Sequence, residues 1–550
     1  MATDADNSRA GTREARADDE AAAAAAREEG YAAAARQGMV LAFWAGEQPG
    51  TLAIASPQGD RTFAELNANA NRLVRALRER GVAAGDGLAL MVSNRPEFAE
   101  VLAAAQRSGL RTTPINWHLT AEEAAYIVGD CQARVFVADT RFGEVAAAAA
   151  AQSAGASVRL AVGGDIAGFE GYDAAIAPHD GSDIDDPELG RSMLYTSGTT
   201  GRPKGVHRAE TPPTSAIGRA FRYRPGETRH LCTGPLYHAA PLAFSLAGPL
   251  NAGVGVVLMD KWSPEETLRL IADQSITHSH MVPTMFHRLL SLPDEVRAAA
   301  DTSSLRMVIH GAAPCPVSVK KAIIEWWGPV LLEYYAATEG SGTFVTSADW
   351  LERPGTVGKP ANADHIRIYD PVGGDEPLPP GEVGTVYLRA PQVGRFDYFG
   401  DKAKTESSYR GDYFTLGDVG YLDEDGYLFL TDRSADLIIS GGVNVYPAEV
   451  EAELLGHPAV GDAAVIGVPD REWGESVVAV VELKQGIEGS DDLAGELIEH
   501  CRISLARFKC PRRVDFVDVL PRTDSGKLYK RRLRDQYRAA AEQVSADSVG

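Results

Sequence analysis

Residues 194–205 read Leu-Tyr-Thr-Ser-Gly-Thr-Thr-Gly-Arg-Pro-Lys-Gly, and this stretch decides how the rest of the sequence is interpreted. Glycine, serine and threonine let a backbone approach a polyphosphate closely and aim its N–H groups at the phosphate oxygens. Lys204 adds a mobile positive charge. A Walker A loop places its lysine directly after a glycine, whereas Lys204 follows proline. The loop therefore predicts phosphate binding of a different kind, and its unbroken run of small residues disfavours a flexible linker.

The composition is that of a large acidic globular protein. The 550 residues carry 54 Lys plus Arg against 76 Asp plus Glu, a net charge of -22. This balance argues against a general nucleic-acid or anionic-membrane surface. No run approaches the roughly 18 apolar residues of a membrane span, and the first residues, rich in Ala, Asp, Glu and Arg, are not expected to act as a secretory signal. The five scattered cysteines indicate a reduced, cytoplasmic protein.

Helix and strand signals alternate over the first two thirds of the sequence. Capping boxes at Thr62 and Thr120 predict helix starts, and Gly81 predicts a helix end. Helices between strands at this spacing indicate parallel α/β layers. Short β-like runs follow from about Gly355, and a compact α+β pattern follows Asp432-Arg433. We therefore predict an α/β protein: a large N-terminal body of layered α/β subdomains plus a β-rich subdomain, with a small mobile α+β C-terminal domain.

The sequence resembles the adenylate-forming superfamily of acyl-CoA synthetases, luciferases and peptide-synthetase adenylation domains, and within it the fatty-acid–CoA ligases. Beyond residues 196–205, the resemblance rests on five strings in the family's order: Tyr335-Ala-Ala-Thr-Glu339, Gly417-Asp418, Asp432-Arg433, Ser440-Gly-Gly442 and Pro521-Arg-Thr-Asp-Ser-Gly-Lys527. It implies two half-reactions. A carboxylate attacks the α-phosphate of ATP to give acyl-AMP and pyrophosphate, and a thiol, that of CoA, then displaces AMP.

The resemblance assigns residues that bind ATP. Those of the phosphate loop are Thr196, Ser197, Gly198, Thr199, Thr200, Gly201 and Lys204. Those around the adenosine are Gly311, Ala312, Ala313 and Tyr335 for adenine, Asp418 for the ribose diol, and Arg433 for ribose and phosphate. A carboxylate has the acceptor geometry that a diol needs. The family usually has Gly-Tyr-Gly where this chain has Tyr334-Tyr335-Ala336, a departure that reshapes the expected wall of the acyl pocket.

The resemblance also assigns catalytic roles. Glu339 would bind Mg2+ together with phosphate oxygens, as suits a hard ion, and Thr338 would contact the α-phosphate. Lys527, in a stretch with 12 basic and 4 acidic residues (502–538), would stabilise the α-phosphate during adenylation. His238 would gate the site beside the reacting carboxylate. It needs no role as a general base, because that carboxylate is already ionised at pH 7.

For the thiol step, the resemblance implies that the C-terminal domain rotates and opens a pantetheine tunnel beside Gly442. Trp473 and the Phe508-Lys509 pair resemble contacts to the CoA nucleotide. The predicted division is a low-complexity tail at 1–37, an adenylation domain at 38–432, a hinge at 433–436 and a C-terminal domain at 437–550. The tail is expected to fray, since no wide apolar stripe would dock it.

The predicted substrate is a hydrophobic carboxylic acid, because small residues surround the expected pocket and no Lys or Arg in these motifs suggests a polar tail. A fatty acid is preferred to an aryl or sterol-side-chain acid. Alternatives are an acyl-AMP ligase loading a carrier protein, a luciferase-like oxygenase, and a non-enzymatic acyl or nucleotide sensor, which Glu339 and Lys527 disfavour. A monomer or a homodimer fits the sequence, as does transient membrane contact. His278, His280 and His287 lack zinc-site spacing and are expected to be structural.

Overall fold

A computed structural model describes residues 22–196, 203–208, 221–371, 373–374, 376–391, 395–433, 436–440, 443–470, 473–522 and 528–537. Seven of the predicted site residues lie outside these ranges: Ser197, Gly198, Thr199, Thr200, Gly201, Gly442 and Lys527. The central hinge positions, 434 and 435, lie outside them as well. The predictions for these positions therefore stay predictions.

The helices and strands of the described residues are as follows. The helices are α1 (22–36), α2 (Val40–Glu47), α3 (Phe63–Glu79), α4 (Pro96–Arg107), α5 (Ala121–Asp130), α6 (Gly143–Ala151), α7 (Tyr172–Ile176), α8 (Gly248–Asn251), α9 (Pro264–Asp273), α10 (Pro283–Leu290), α11 (Asp294–Ala299), α12 (Val317–Trp327), α13 (Ser347–Glu352), α14 (Lys402–Ser408), α15 (Pro447–Leu455), α16 (Asp491–Ser504) and α17 (530–537), with 3-10 turns at Thr140–Phe142 and Ala363–His365 and a π-helix at Pro241–Ala247. The strands are β1 (Leu52–Ala55), β2 (Arg61–Thr62), β3 (Gly87–Met91), β4 (Arg111–Pro114), β5 (Ala133–Asp139), β6 (Val158–Val162), β7 (Glu170–Gly171), β8 (Arg191–Ser192), β9 (Leu194–Thr196), β10 (Lys204–Arg208), β11 (Arg229–Cys232), β12 (Gly255–Leu258), β13 (His278–Met281), β14 (Met307–His310), β15 (Leu331–Ala337), β16 (Gly340–Thr346), β17 (Ile366–Tyr369), β18 (Gly384–Arg389), β19 (Phe396–Tyr398), β20 (Tyr409–Arg410), β21 (Tyr413–Leu422), β22 (Leu428–Arg433), β23 (Ile438–Ser440), β24 (Val443–Val445), β25 (Val460–Asp470), β26 (Gly474–Leu483) and β27 (Arg513–Val517).

The chain divides into two compact units. The first comprises residues up to Tyr195 together with Thr211–Cys232 and Leu236–Asp260, and the second comprises Thr196–Glu210, Thr233–Pro235 and the residues from Lys261 onward. In the first unit, β7-β6-β5-β3-β4-β8 form a parallel sheet, and β11, β12 and β1 pair in parallel while β2 joins β1 antiparallel. Strand β3 is buried along its whole length, as expected of a strand covered by helices on both faces.

The local signals in the sequence explain where the helices of the first unit begin and end. Thr62 Oγ1 accepts a hydrogen bond from the N–H of Glu65 at 3.2 Å, and a Glu65 oxygen accepts from the N–H of Thr62 at 2.8 Å. The same reciprocal box occurs at Thr120. Gly81 has a φ of +76°, which favours glycine and turns the chain after α3.

The N-terminal segment departs from the expected frayed tail. Residues 22–36 form α1, and the Tyr31 ring packs edge-on against Phe43 and Trp44 at 5.6 and 6.4 Å between ring centroids. Arg27 forms a 2.5 Å ion pair with Glu47 and lies over the Trp44 ring. One aromatic ring and small alanines therefore dock this helix without the wide apolar stripe that a longer surface helix needs.

The second unit contains an α/β sheet and a β-rich part. Strands β13, β14 and β15 pair in parallel, and β15 turns back into β16 as an antiparallel hairpin. Strands β17-β18-β21-β20, with β22 on β21, form an antiparallel sheet, and β10 pairs antiparallel with β19. The core under these strands includes Phe396, Phe414 and Leu428.

The C-terminal part of the second unit is an α+β arrangement. Strands β24-β23-β26-β25 are antiparallel, β27 adds to β26 in parallel, and α15 and α16 cover one face with Val450, Leu454 and Leu497. Parallel α/β layers, a β-rich part and this α+β part confirm the predicted fold class. Among the described residues, no helix combines the length and apolar composition needed to cross a membrane.

Candidate active site

Strand β15 places the first pair of predicted site residues. The Tyr335 hydroxyl donates to Asp418 Oδ2 at 2.7 Å, and both side chains are buried. Asp418 lies in β21, where its backbone pairs with that of Arg433 in β22. The structure therefore brings Tyr335, Asp418 and the backbone of Arg433 together.

The segment Gly311–Ala313 follows β14 and has an unusual backbone. Ala312 has a φ of +66°, the left-handed region that residues with a side chain rarely adopt and that is enriched at functional sites. A Cβ on Gly311 would lie 2.5 Å from the Tyr334 carbonyl oxygen and 2.8 Å from its ring. Gly311 therefore gives the Tyr334 ring the space to lie across the strand, and the Tyr334 hydroxyl meets His280 Nε2 at 3.0 Å.

Glu339 lies at the turn between β15 and β16. Its side chain is buried, and the Tyr398 hydroxyl donates to its Oε1 at 3.0 Å. The neighbouring Thr338 carbonyl accepts a 2.9 Å hydrogen bond from the Arg208 guanidinium. Burial lowers the pKa of Arg208, with the Glu339 charge opposing that shift. A buried carboxylate thus lies beside a partly desolvated cation.

Lys204 begins β10, one edge of the same site. Its Nζ forms a 2.5 Å ion pair with Asp401 Oδ2 and lies 5.9 Å from the centre of the Tyr398 ring. The hydrogen bond from Lys204 holds the pKa of the Asp401 carboxyl below its usual value. Lys204 and Arg208 are four residues apart on one strand, so their side chains leave from the same face.

His238 lies in the first unit. Asn94 Oδ1 accepts a 2.9 Å hydrogen bond from the N–H of Leu236 and so fixes the loop that precedes His238. The Trp117 ring meets Tyr237 edge-on at 4.5 Å. The π-helix begins at Pro241, and such irregular turns are frequent at functional sites.

Of the site residues predicted in the C-terminal domain, the structure describes Trp473, Phe508 and Lys509. Arg522 and Leu528, the described residues on either side of 523–527, form a backbone bridge, and Arg522 pairs with Asp462 at 2.5 Å. The Arg512 guanidinium lies 3.9 Å from the centre of the Trp473 ring, and Lys509 pairs with Glu449.

Three residues of the site were missed by sequence reasoning: Arg208, Tyr398 and Asp401. A signal existed for Arg208, since the period-two alternation of a strand beginning at Lys204 would place residues 204 and 208 on the same face. Tyr398 and Asp401 lie about 190 residues farther along the chain (Asp401 is 197 residues from Lys204), and only the pairing of β10 with β19 brings them there.

Comparison with known proteins identifies the family. The family described as AMP-binding enzyme matches residues 41–396, and the family described as AMP-binding enzyme C-terminal domain matches residues 449–527. The chain belongs to the AMP-binding enzymes. The predicted membership of the adenylate-forming superfamily is therefore confirmed, and with it the class of AMP-forming acid–thiol ligases.

The names of the relatives give several different acyl substrates. A fatty acid–[acyl-carrier-protein] ligase of Streptomyces coeruleorubidus is 34% identical over 514 residues, 90% of this chain and 95% of the relative. A feruloyl-CoA synthase of an Amycolatopsis species is 35% identical over 86% of this chain and 94% of the relative. A long-chain-fatty-acid–CoA ligase of Mycobacterium tuberculosis is 32% identical over 87% and 93%.

Solved structures agree in fold. An anthranilate CoA ligase in complex with anthranoyl-AMP superimposes with a TM-score of 0.82 at 26% identity, covering 92% of this chain and 98% of that one. ATP-bound MatB from Rhodopseudomonas palustris gives a TM-score of 0.77 at 31% identity, covering 91% and 99%.

Proposed function

We propose that this AMP-binding enzyme activates an apolar carboxylic acid with ATP and transfers the acyl group to CoA. The observation that carries the proposal is the buried Glu339 carboxylate in one site with two cations, Lys204 and Arg208. Adenylation brings an anionic acid to an anionic triphosphate, so the site must supply positive charge and donors where that charge accumulates.

Lys204 is the proposed ligand of the β- and γ-phosphates. Its ammonium group now meets the Asp401 carboxylate, and a phosphate oxygen offers the same kind of partner with more charge. The pair is partly exposed to solvent, which weakens it, so exchanging one anionic partner for another costs little. Residues 196–201 complete the proposed phosphate loop.

The Glu339 carboxylate fits a divalent cation. Mg2+ is usually held in proteins by one or two carboxylates together with the phosphates of the substrate. We propose that Glu339 holds Mg2+, whose charge, when the ion is bound, offsets that of the phosphates. Thr338, the adjacent residue, is the proposed contact to the α-phosphate.

Asp418 and Tyr335 are proposed to hold the adenosine. The Asp418 carboxylate, which accepts a hydrogen bond from the Tyr335 hydroxyl, is proposed to accept hydrogen bonds from the ribose hydroxyls as well. The bond also fixes the orientation of the Tyr335 ring, which we propose lies against adenine. Ala313, with Gly311 and the left-handed Ala312, is proposed to line the other side of the base.

The proposed chemistry has two displacements. The oxygen of the acid attacks the α-phosphorus and pyrophosphate leaves; the sulfur of CoA then attacks the acyl carbon and AMP leaves. Lys527 is proposed to stabilise the α-phosphate in the first step, with His238 lining the entrance for the acid. The second step is proposed to follow a rotation about residues 433–436, which admits pantetheine beside Gly442.

A fatty acid is the proposed substrate, supported by the small residues of the acyl-pocket motifs and by the fatty-acid ligases among the relatives. An aryl acid is supported to the same degree by the feruloyl and anthranilate ligases. A reaction that uses ATP and CoA also supports a cytoplasmic location.

The experiment is ATP–pyrophosphate exchange with a panel of acids: medium- and long-chain fatty acids, ferulate and indoleacetate. Exchange with the fatty acids, followed by acyl-CoA when CoA is added, is the expected result. Exchange with the aryl acids alone would assign an aryl acid, and not a fatty acid, as the substrate. Absence of exchange with every acid would overturn the proposed adenylation.

Loading of a carrier protein is a second candidate, favoured by the fatty acid–[acyl-carrier-protein] ligase that matches 90% of this chain. The same assay separates the two acceptors when CoA is replaced by a phosphopantetheinylated carrier protein. Acyl transfer to the carrier, with exchange but no acyl-CoA, would assign the carrier as the acceptor.

A further inference from the structure

Tyr398 is held rigidly at the end of β19. Its backbone N–H donates to Thr405 Oγ1 at 2.9 Å, and its ring packs edge-on against Phe396 at 5.4 Å. Pairing of β19 with β10 places Tyr398 opposite Val206, between the two cationic residues of that strand. Its position is therefore set by packing and by backbone bonds, independently of its hydroxyl group.

The hydroxyl of Tyr398 donates a hydrogen bond to Glu339 Oε1 at 3.0 Å. A carboxylate oxygen accepts hydrogen bonds, so the phenol is the donor in this pair. The bond is to Oε1, and a carboxylate with about four lone-pair positions can bind a cation beside such a bond. One carboxylate oxygen is thus fixed before any ligand arrives.

We infer that Tyr398 is a positioning residue for the divalent cation that accompanies ATP, acting by fixing the Glu339 carboxylate; this inference rests on the proposed function of Glu339. A carboxylate held in one orientation loses less freedom when it binds a cation, so preorganisation strengthens binding without adding a contact. Removing the hydrogen-bond partner of a metal ligand typically weakens metal binding about 10–100-fold.

The chain offers a matched control in Tyr409. Its ring also packs on Phe396, at 5.0 Å, and its hydroxyl donates to the Phe396 carbonyl at 2.8 Å. Tyr398→Phe and Tyr409→Phe each remove one hydroxyl from this aromatic cluster and keep the ring. The first alone removes the donor to Glu339, so a general loosening of the cluster would appear in both variants.

The experiment titrates Mn2+, as a paramagnetic substitute for Mg2+, into full-length protein with α,β-methylene-ATP and no acid, and measures bound Mn2+ by electron paramagnetic resonance. Tyr398→Phe should bind Mn2+ about tenfold more weakly, and Tyr409→Phe should bind it as the unchanged protein does. Binding of the nucleotide without metal, followed by fluorescence, should be the same in all three. The Mg2+ concentration for half-maximal pyrophosphate exchange should rise in parallel for Tyr398→Phe.

Other outcomes separate the two proposals. Unchanged Mn2+ affinity in Tyr398→Phe, or an equal loss in Tyr409→Phe, would overturn the positioning role. Glu339→Gln tests the proposed function itself: if that variant binds Mn2+ normally, Glu339 is not the cation ligand and the proposal for Tyr398 fails with it. If Glu339→Gln loses Mn2+ and Tyr398→Phe does not, only the positioning role fails.

Discussion

The ion pair between Lys320 and Glu333 allows a quantitative test of the packing behind the site. Lys320 Nζ lies 2.5 Å from Glu333 Oε2, with side-chain exposures of 0% and 6%. The ammonium group also lies 4.6 Å from the centre of the Trp350 ring. The pair joins α12 to β15, the strand that leads to Tyr335 and Glu339. Loss of this ion pair should therefore lower both the stability and the catalytic activity of the protein.

Burial opposes both charges: it lowers the pKa of Lys320 and raises that of Glu333, and each partner restores part of the other's shift. Removing one partner leaves an uncompensated buried charge, which typically costs about 3–5 kcal/mol. We expect that loss from Lys320→Met and a comparable one from Glu333→Leu. Replacing both with apolar residues of similar volume is often close to neutral. The double variant should therefore recover most of the loss.

The assay is urea unfolding followed by tryptophan fluorescence, since Trp350 contacts the pair and Trp327 ends α12. If the losses of the two single variants were additive, the double variant would lose about 6–10 kcal/mol of unfolding free energy. We expect it to lose about 2 kcal/mol or less. A double variant that loses the sum of the single losses would refute the reasoning. So would a Lys320→Met variant within about 1 kcal/mol of the unchanged protein.

Three further predictions concern single side chains. Burial holds the pKa of His310 well below its ordinary value, so the unfolded chain takes up a proton that the folded one resists, and stability falls as the pH drops below about 6.5. In His310→Leu, urea unfolding should show that slope reduced by up to about 1.4 kcal/mol per pH unit, and an unchanged slope would contradict this. Asp401→Asn keeps the cap of α14 and releases Lys204 from its ion pair, so the KM for ATP should fall up to about fivefold; a higher KM would show that Asp401 orients the lysine for ATP. Lys527→Ala should slow acyl-AMP formation about a hundredfold or more while sparing thioester formation from supplied acyl-AMP, and equal loss of both steps would contradict its assigned role.

Much of the fold follows from short-range signals in the sequence. The capping boxes at Thr62 and Thr120 form as their spacing predicts, because a capping box involves residues only three positions apart. Pro447, a residue type favoured in the first turn of a helix, begins α15. The docking of α1 was missed because it depends on Tyr31 meeting Phe43 and Trp44, a contact that alanine-rich composition does not reveal.

Site residues that lie in one continuous motif could be predicted from the sequence. Site residues that strand pairing brings together from distant positions could not be predicted as well. Thr338 and Glu339 are adjacent, so a single motif finds both. The partner of Glu339 is Tyr398, 59 residues away, and that of Lys204 is Asp401, 197 residues away. Such partners depend on the register between β10 and β19, and register is set by packing over the whole sheet.

The local charges are compatible with the binding of polyanionic ATP by a chain with a net charge of -22. Lys204 faces the carboxylate of Asp401, and Arg208 lies near that of Glu339, so each of these two cations has an anionic neighbour before ATP arrives. Charges separated by more than about 8–10 Å are largely screened at physiological ionic strength. The remaining acidic surface therefore acts weakly on the phosphates. Phosphate binding therefore depends on the ion-pair partner of each cation. The partner of Lys204 is the Asp401 carboxylate, which a phosphate can replace.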